Sequence, residues 1–279
     1  MIINCAGKQL DLTCPQVMGI LNITPDSFSD GGQFLAQDLA LEQAKKMVAD
    51  GAAIIDVGGE STRPGAEAVP LEEEIARVIP VIEAIASELS VPISIDTSKP
   101  DVMRAAVKAG AGLINDVQAL RVDGAIKAAV ELATPVCLMH AQGSPKTMQE
   151  NPHYQDVVSE VITFLQARVA VCEQAGIPRD KLILDPGFGF GKRARHNLRL
   201  MKHMNRLVDM GLPVLVGVSR KSIIGKLLDV TMEERLAGSL SLASLAVWQG
   251  AKLIRTHDVR ETVQAINICN HVIQVSDFD

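Results

Sequence analysis

Short β-branched apolar runs punctuate the chain from end to end, and stretches of helical composition separate them. The runs are VMGILNIT (17 to 24), AIIDVGG (53 to 59), PISID (92 to 96), GLINDV (112 to 117), PVCLMH (135 to 140), KLILDPG (181 to 187), PVLVGVS (213 to 219) and KLIRTHD (252 to 258). Each predicts a strand. The segments between them, such as LEEEIARVIPVIEAIASEL, DVMRAAVKAG and DGAIKAAVELA, predict helices, many ending in Gly or a Gly-Ala pair where a C-cap sits. Eight strand-helix units in roughly 250 residues is the arithmetic of a closed (β/α)8 barrel. An open doubly wound sheet is the alternative, but this many strands with no intervening linker favours closure. No Pro/Ser-rich or low-complexity segment divides the chain, so residues 1–279 read as one α/β domain. The expected fold is a TIM barrel with long βα loops at its top, residues 1 to 16 forming a hairpin across its bottom.

Nearly every run closes with a polar or charged residue: Asn22, Asp56, Asp96, Asn115, His140, Asp185, Ser219 with Lys221, and Arg255 with His257. In a barrel these ends converge on the face that carries the active site. One such residue alone reads as a turn former or helix cap. The whole set together points to a site. Long connections follow the first, second, fifth and sixth runs: PDSFSDGGQF, ESTRPGAEAV, AQGSPKTMQENPHY and GFGFGKRARHN. They exceed the usual βα connection, and long loops in a compact domain are usually lids or binding loops.

Composition narrows the partners. Apolar residues are 47% and charged residues 22% of the 279, an ordinary globular balance, so disorder is excluded as the main state. Lys and Arg total 27 against 33 Asp and Glu; a net charge of −6 without a basic stripe argues against nucleic acid. Five widely spaced cysteines match neither a zinc site nor a disulfide framework, which suits a reducing cytoplasm. No run is long enough to span a bilayer and the N-terminus lacks a signal pattern, so neither a membrane nor export is expected.

GFGFGK (187 to 192) has neither the GxxxxGK[ST] nor the GxGxxG spacing, and no HExxH, GxSxG or close Cys/His set exists. Nucleotide loops, a dedicated zinc site and a serine nucleophile are excluded on those grounds. Any metal is then a hard ion held by oxygen ligands and the substrate. What remains is a split site. Asp96, Asn115 and Asp185 offer acceptors deep in the barrel mouth, with no cation near them in sequence, so a ligand with paired N–H donors would satisfy them. Ser219, Lys221, Arg255 and His257 follow the last two strands, where barrels commonly bind phosphate. The ligand so described has a donor-rich planar head and an anionic tail. The other reading keeps Lys221 and Arg255 as internal counterions of Asp96 and Asp185.

These residues also carry a resemblance. MGILNITPDSFSDGG (18 to 32) and GAAIIDVGGESTRPGA (51 to 66) resemble the two signature segments of the dihydropteroate synthases, of the pterin-binding barrel group. SIDTSKP, INDV, LMH, LDPGFGFGK, GVSRKSIIG and IRTHDV follow in that family's order, and the likeness covers about residues 17 to 260. It implies transfer of an alkyl group other than methyl: a (7,8-dihydropterin-6-yl)methyl diphosphate and 4-aminobenzoate give dihydropteroate and pyrophosphate in folate synthesis. It implies pterin binding by Asp96, Asn115, Met139, Asp185, Gly217 and Lys221. Asn22, Thr62, Arg63, Arg255 and His257 would hold the diphosphate, with Asn22 also on Mg²⁺. Phe28, Thr62, Pro64, Phe190, Lys221 and Ser222 would surround 4-aminobenzoate. Arg63, Lys221, Arg255 and His257 would be the catalytic set. A homodimer and a place among the sulfonamide target class are implied as well. One departure is visible, Ala141 in HAQGSP where the family often has Met. The competing readings are a pterin-binding methyltransferase domain, which should lack the intact SFSDGG and STRPG segments, and a non-catalytic folate-pathway relative, which should have lost Arg63 or Lys221.

Overall fold

In the computed structural model the described residues are 1–23, 32–61, 66–143, 148, 150–276, with side chains from 37 onward in the first helix. The chain opens with an antiparallel hairpin, β1 (Ile2–Cys5) and β2 (Lys8–Asp11). Its two-residue turn places Ala6 at φ 53° and Gly7 at φ 88°, the left-handed pair whose twist matches the flanking strands. Eight parallel strands follow: β3 (Gln16–Asn22), β4 (Ile54–Gly58), β5 (Ile93–Asp96), β6 (Leu113–Asp116), β7 (Val136–Met139), β8 (Leu182–Asp185), β9 (Leu215–Gly217) and β10 (Leu253–Thr256). They pair in the order β8-β7-β6-β5-β4-β3-β10-β9. A parallel bridge between Leu184 and Val214 joins the two ends of that order and closes the barrel. Seven of the eight strands fall inside the runs that the hydrophobic pattern marks, and β3 starts one residue earlier, at Gln16.

Between and around them pack α1 (Gly32–Ala49), α2 (Leu71–Glu88), α3 (Pro100–Ala109), α4 (Ala125–Leu132), α5 (Val157–Gln174), α6 (Ala194–Lys202), α7 (Asn205–Val208), α8 (Ser222–Leu228), α9 (Leu236–Trp248) and α10 (Val259–Gln274). Helix α2 shows why they form. Three glutamates in its first turn favour the positive end of the helix dipole, and Val78, Val81, Ile82 and Ile85 share one buried face. Helix α3 starts on Pro100, whose missing N–H has no intrahelical partner to lose, and stops at Gly110 with φ 120°. The sixth loop is shorter than the sequence suggests, because α6 begins at Ala194 and absorbs ARHN.

Two apolar layers hold the barrel. The larger lies between strands and helices and takes in residues such as Leu21, Ile55, Ile95, Leu138, Leu184 and Val216. The smaller fills the bottom, where Ile3, Cys5, Leu10 and Leu12 of the hairpin meet Met18, Ile54, Leu113, Cys137, Ile183, Leu215 and Leu253 at the starts of the strands. The hairpin is therefore a plug. With the bottom sealed by apolar side chains, chemistry is left to the opposite, C-terminal mouth.

Candidate active site at the C-terminal mouth of the barrel

Parallel register sets the first row of the site. Asn22, Gly58, Asp96 and Asn115 are successive cross-strand partners, so three polar residues come level at the ends of β3, β5 and β6. Met139 and Asp185 are likewise partners at the ends of β7 and β8. Asp96, Asn115, Met139 and Asp185 are all buried, the last accepting from Gly187 N–H at 2.7 Å through Oδ1. Burial pushes the Asp185 carboxyl up to about 6 against the pull of that N–H.

Asp56 sits lower, in the middle of β4, and is fully buried. Its Oδ2 accepts from Arg255 Nε at 2.6 Å and from Asn115 Nδ2 at 3.1 Å. Arg255 also gives Nη2 to Asp96 Oδ2 at 2.8 Å. The expectation that a ligand's N–H donors satisfy Asp96 is corrected in part, and the counterion reading holds for Arg255 with Asp96: β10 lies beside β3, and barrel closure brings the guanidinium to Asp56 and Asp96 from far along the chain. Asp96 Oδ1 and Asp56 Oδ1 remain buried without a hydrogen-bond partner. Burial drives the Asp96 carboxyl up to about 7, with Arg255 opposing the rise and Asp56 adding to it.

The cationic wall stands opposite. Lys221 caps α8, and its Nζ lies 4.2 Å from the centre of the Phe190 ring, a cation–π contact. Burial lowers the Lys221 ammonium to about 8, Arg255 adding to the fall and Asp185 and Asp96 opposing it. Lys221 forms no ion pair among the described residues, so internal neutralisation holds for Arg255 and not for Lys221. His257 Nδ1 lies 3.0 Å from Ser219 Oγ, which also accepts from His257 N–H at 3.2 Å. Gly217 pairs with Arg255 across β9 and β10, and Ser222 opens α8 on the exposed side. Phe28, Thr62, Arg63 and Pro64 lie outside the described residues.

The segment 187–192 joins the two walls. Gly187 has φ 68°, and a Cβ there would stand 1.9 Å from His140 O, so only glycine fits. A Cβ on Gly189 would meet the Lys221 stem at 3.3 Å. Sequence reasoning named Asp56 and His140 only as strand ends and gave no role to Lys192. The missed signal was a charge inside each of two apolar strands, Asp56 and Arg255, since a buried charge needs a partner.

A sealed bottom, an acceptor-rich floor and a cationic wall define an enzyme of the pterin-binding kind, and the family model described as "Pterin binding enzyme" matches residues 18–257. The chain belongs to that family and, within it, to the dihydropteroate synthases. It is 55% identical to the dihydropteroate synthase of Escherichia coli strain K12 over 271 residues, 97% of this chain and 96% of that one. The Yersinia pestis dihydropteroate synthase in a sulfonamide drug complex superposes with a TM-score of 0.94 at 50% identity, covering 99% of this chain and all of that one. The Xanthomonas albilineans dihydropteroate synthase solved with 4-aminobenzoic acid gives 0.93 at 50% identity, covering 99% of each chain.

Proposed function

We propose that this mouth joins a (7,8-dihydropterin-6-yl)methyl diphosphate to 4-aminobenzoate, releasing pyrophosphate and 7,8-dihydropteroate. The observation that carries the reading is the floor itself: Asp96 with a free buried Oδ1, beside Asn115 and Asp185. An amino-pyrimidinone edge presents N–H donors in the plane such acceptors need. Met139 and Gly217 border that edge in this reading, and Lys221 reaches it from α8.

The diphosphate belongs toward Arg255 and His257, with Thr62 and Arg63 on the second loop. Among the described residues no group of three acidic, His or Cys side chains could hold a metal. Asn22 offers one neutral oxygen at the mouth, a donor set that fits Mg²⁺ arriving already bound by the diphosphate. When bound, the ion neutralises charge on the departing pyrophosphate. Arg63, Arg255 and His257 stabilise the same charge as the C–O bond breaks and its electron pair leaves with the diphosphate oxygen. The pterin carries the positive charge left behind, and the arylamine lone pair then closes the C–N bond. The amine proton passes to water or pyrophosphate. No strong base is required, because the neutral arylamine is the nucleophile. Phe28, Thr62, Pro64, Phe190, Lys221 and Ser222 frame 4-aminobenzoate in this reading and keep water from the cation.

The chain works as a single domain and as a homodimer in this proposal. Leu245, Trp248, Ile268 and Val272 on α9 and α10 are exposed apolar side chains on neighbouring helices, a surface suited to a second copy. All five cysteines are free, and among the described residues no helix is long and apolar enough to cross a membrane, in keeping with a cytoplasmic setting.

A pyrophosphate-release assay tests the reaction. Release is expected only with both substrates present. Equal release from the pterin diphosphate alone would make the site a hydrolase, and none with both would leave a non-catalytic binding protein.

A further inference from the structure

We propose that Lys192 is a positioning residue for the arylamine side of the site: its ammonium, gathered among backbone carbonyls, fixes segment 187–192 so that the Phe190 ring lies beneath Lys221. This rests on the reading above that Phe190 and Lys221 border 4-aminobenzoate.

Lys192 is buried at 3% exposure, and among the described residues it forms no ion pair. Its Nζ stands 2.8 Å from Gly187 O, 2.9 Å from His140 Nδ1 and 3.1 Å from Phe190 O, one acceptor for each of its three N–H donors, and His140 O at 3.3 Å shares one of them. Burial lowers the Lys192 ammonium to about 7, with Asp185 opposing the fall; in its charged form it has only donors, so His140 then accepts at Nδ1 and carries its proton on Nε2. Burial and the neighbouring ammonium hold that ring neutral, down to about 2.

Such a cluster is costly unless every member is satisfied. An apolar side chain of the same length would fill the space but leave these carbonyls without that donor, so the charge is present for the backbone around it. The backbone it gathers is the part that presents Phe190. Other ties hold the rest of the segment: Gly189 N–H to Asn197 Oδ1 at 2.8 Å, Asn197 Nδ2 to Lys192 O at 3.2 Å, and Tyr154 Oη–H to Gly191 O at 2.9 Å. Among the described residues only Lys192 ties the Phe190 carbonyl to both the start of the segment and the end of β7. Without it Phe190 N–H still donates to Gly187 O at 3.1 Å, but the 190–191 peptide loses its anchor on the carbonyl side, so the aromatic platform under Lys221 is held from one side. Asp185, at the other end, keeps its own bond from Gly187 N–H.

That division gives a readout that a general loss of stability would not produce. Steady-state kinetics with each substrate varied in turn, alongside thermal unfolding, compare Lys192→Met, Asn197→Ala and Phe190→Ala with the parent enzyme. Lys192→Met should raise KM for 4-aminobenzoate by about tenfold or more while KM for the pterin diphosphate moves less than about threefold. Asn197→Ala, which loosens an outer tie, should move the same KM in the same direction by less, and it serves if Lys192→Met does not fold. Both KM values rising together, or neither changing, overturns the proposal. Phe190→Ala separates the two ideas. If it raises the 4-aminobenzoate KM while the Lys192 and Asn197 variants do not, the positioning role alone falls. If it does nothing, the placement of the arylamine fails and this inference fails with it.

Discussion

Arg255 and Asp56 stand 199 positions apart in the chain and meet at 2.6 Å inside the barrel. The contact ties β10 to β4, and through Asn115, which donates to the same Asp56 oxygen, to β6. One carboxylate thus orients a residue assigned to the diphosphate and a residue assigned to the pterin.

Asp56→Ala should therefore cost stability as well as activity. Removing one partner of a buried charge pair typically costs about 3 to 5 kcal/mol, and the surviving bond from Arg255 to Asp96 places this case near the lower end. Asp56→Asn keeps an acceptor and should cost less. Urea unfolding of both variants checks the order; equal stability of Asp56→Ala and the parent would mean the pair contributes nothing.

Gly187 and Gly176 form a matched pair for the backbone of the site. Both have positive φ, 68° and 100°, but a Cβ on Gly187 would sit 1.9 Å from His140 O, whereas Gly176 has nothing within 4 Å. Gly176→Ala should show only the left-handed cost of about 1 to 2 kcal/mol. Gly187→Ala adds about 1 to 3 kcal/mol of overpacking and should displace the turn that feeds Asp185 its N–H. Comparable melting temperatures for the two variants would contradict this account.

The barrel was legible because its signal is repeated: eight apolar runs, each at a strand of the sheet. The floor of the site was legible for a related reason, since Asp96, Asn115 and Asp185 terminate strands that are otherwise apolar. The tie between Asp56 and Arg255 was not, because it depends on which strands become neighbours when the sheet closes. Lys192 was hidden differently. Its partners are main-chain carbonyls, which every residue possesses, so no side-chain pattern announces them.

Metal binding should follow the diphosphate. Asn22 supplies one uncharged oxygen, and Asp56 on the adjacent β4 and Asp96 on β5 are engaged with Arg255. A site so poor in charge cannot strip water from Mg²⁺ unaided. Titration calorimetry should show Mg²⁺ uptake by the protein only when pyrophosphate is present. Tight binding to the protein alone would require a donor set other than the one described.

Pterin affinity should depend on pH through the floor. Burial holds the Asp185 carboxyl up at about 6, so on acidification the empty site takes up a proton there. Pterin N–H donors favour the ionised form, which means that binding pulls this value down and releases a proton whenever the site was protonated beforehand. The sign follows. Affinity is highest above about pH 6 and falls below it, as one acceptor becomes a donor facing a donor. Asp96, raised to about 7 by burial and opposed by Arg255, extends the same trend upward. Asp185→Asn should remove the Asp185 share of the pH dependence and lower affinity by about 1 to 3 kcal/mol, because its amide presents a donor where the ligand needs an acceptor. Calorimetry of a pterin ligand at about pH 5.5 and pH 7.5, in buffers of different ionisation heat, measures both affinity and proton release. Equal affinities at the two pH values, with no proton exchanged, would show that the floor is already ionised when empty and that Asp185 does not titrate with the ligand.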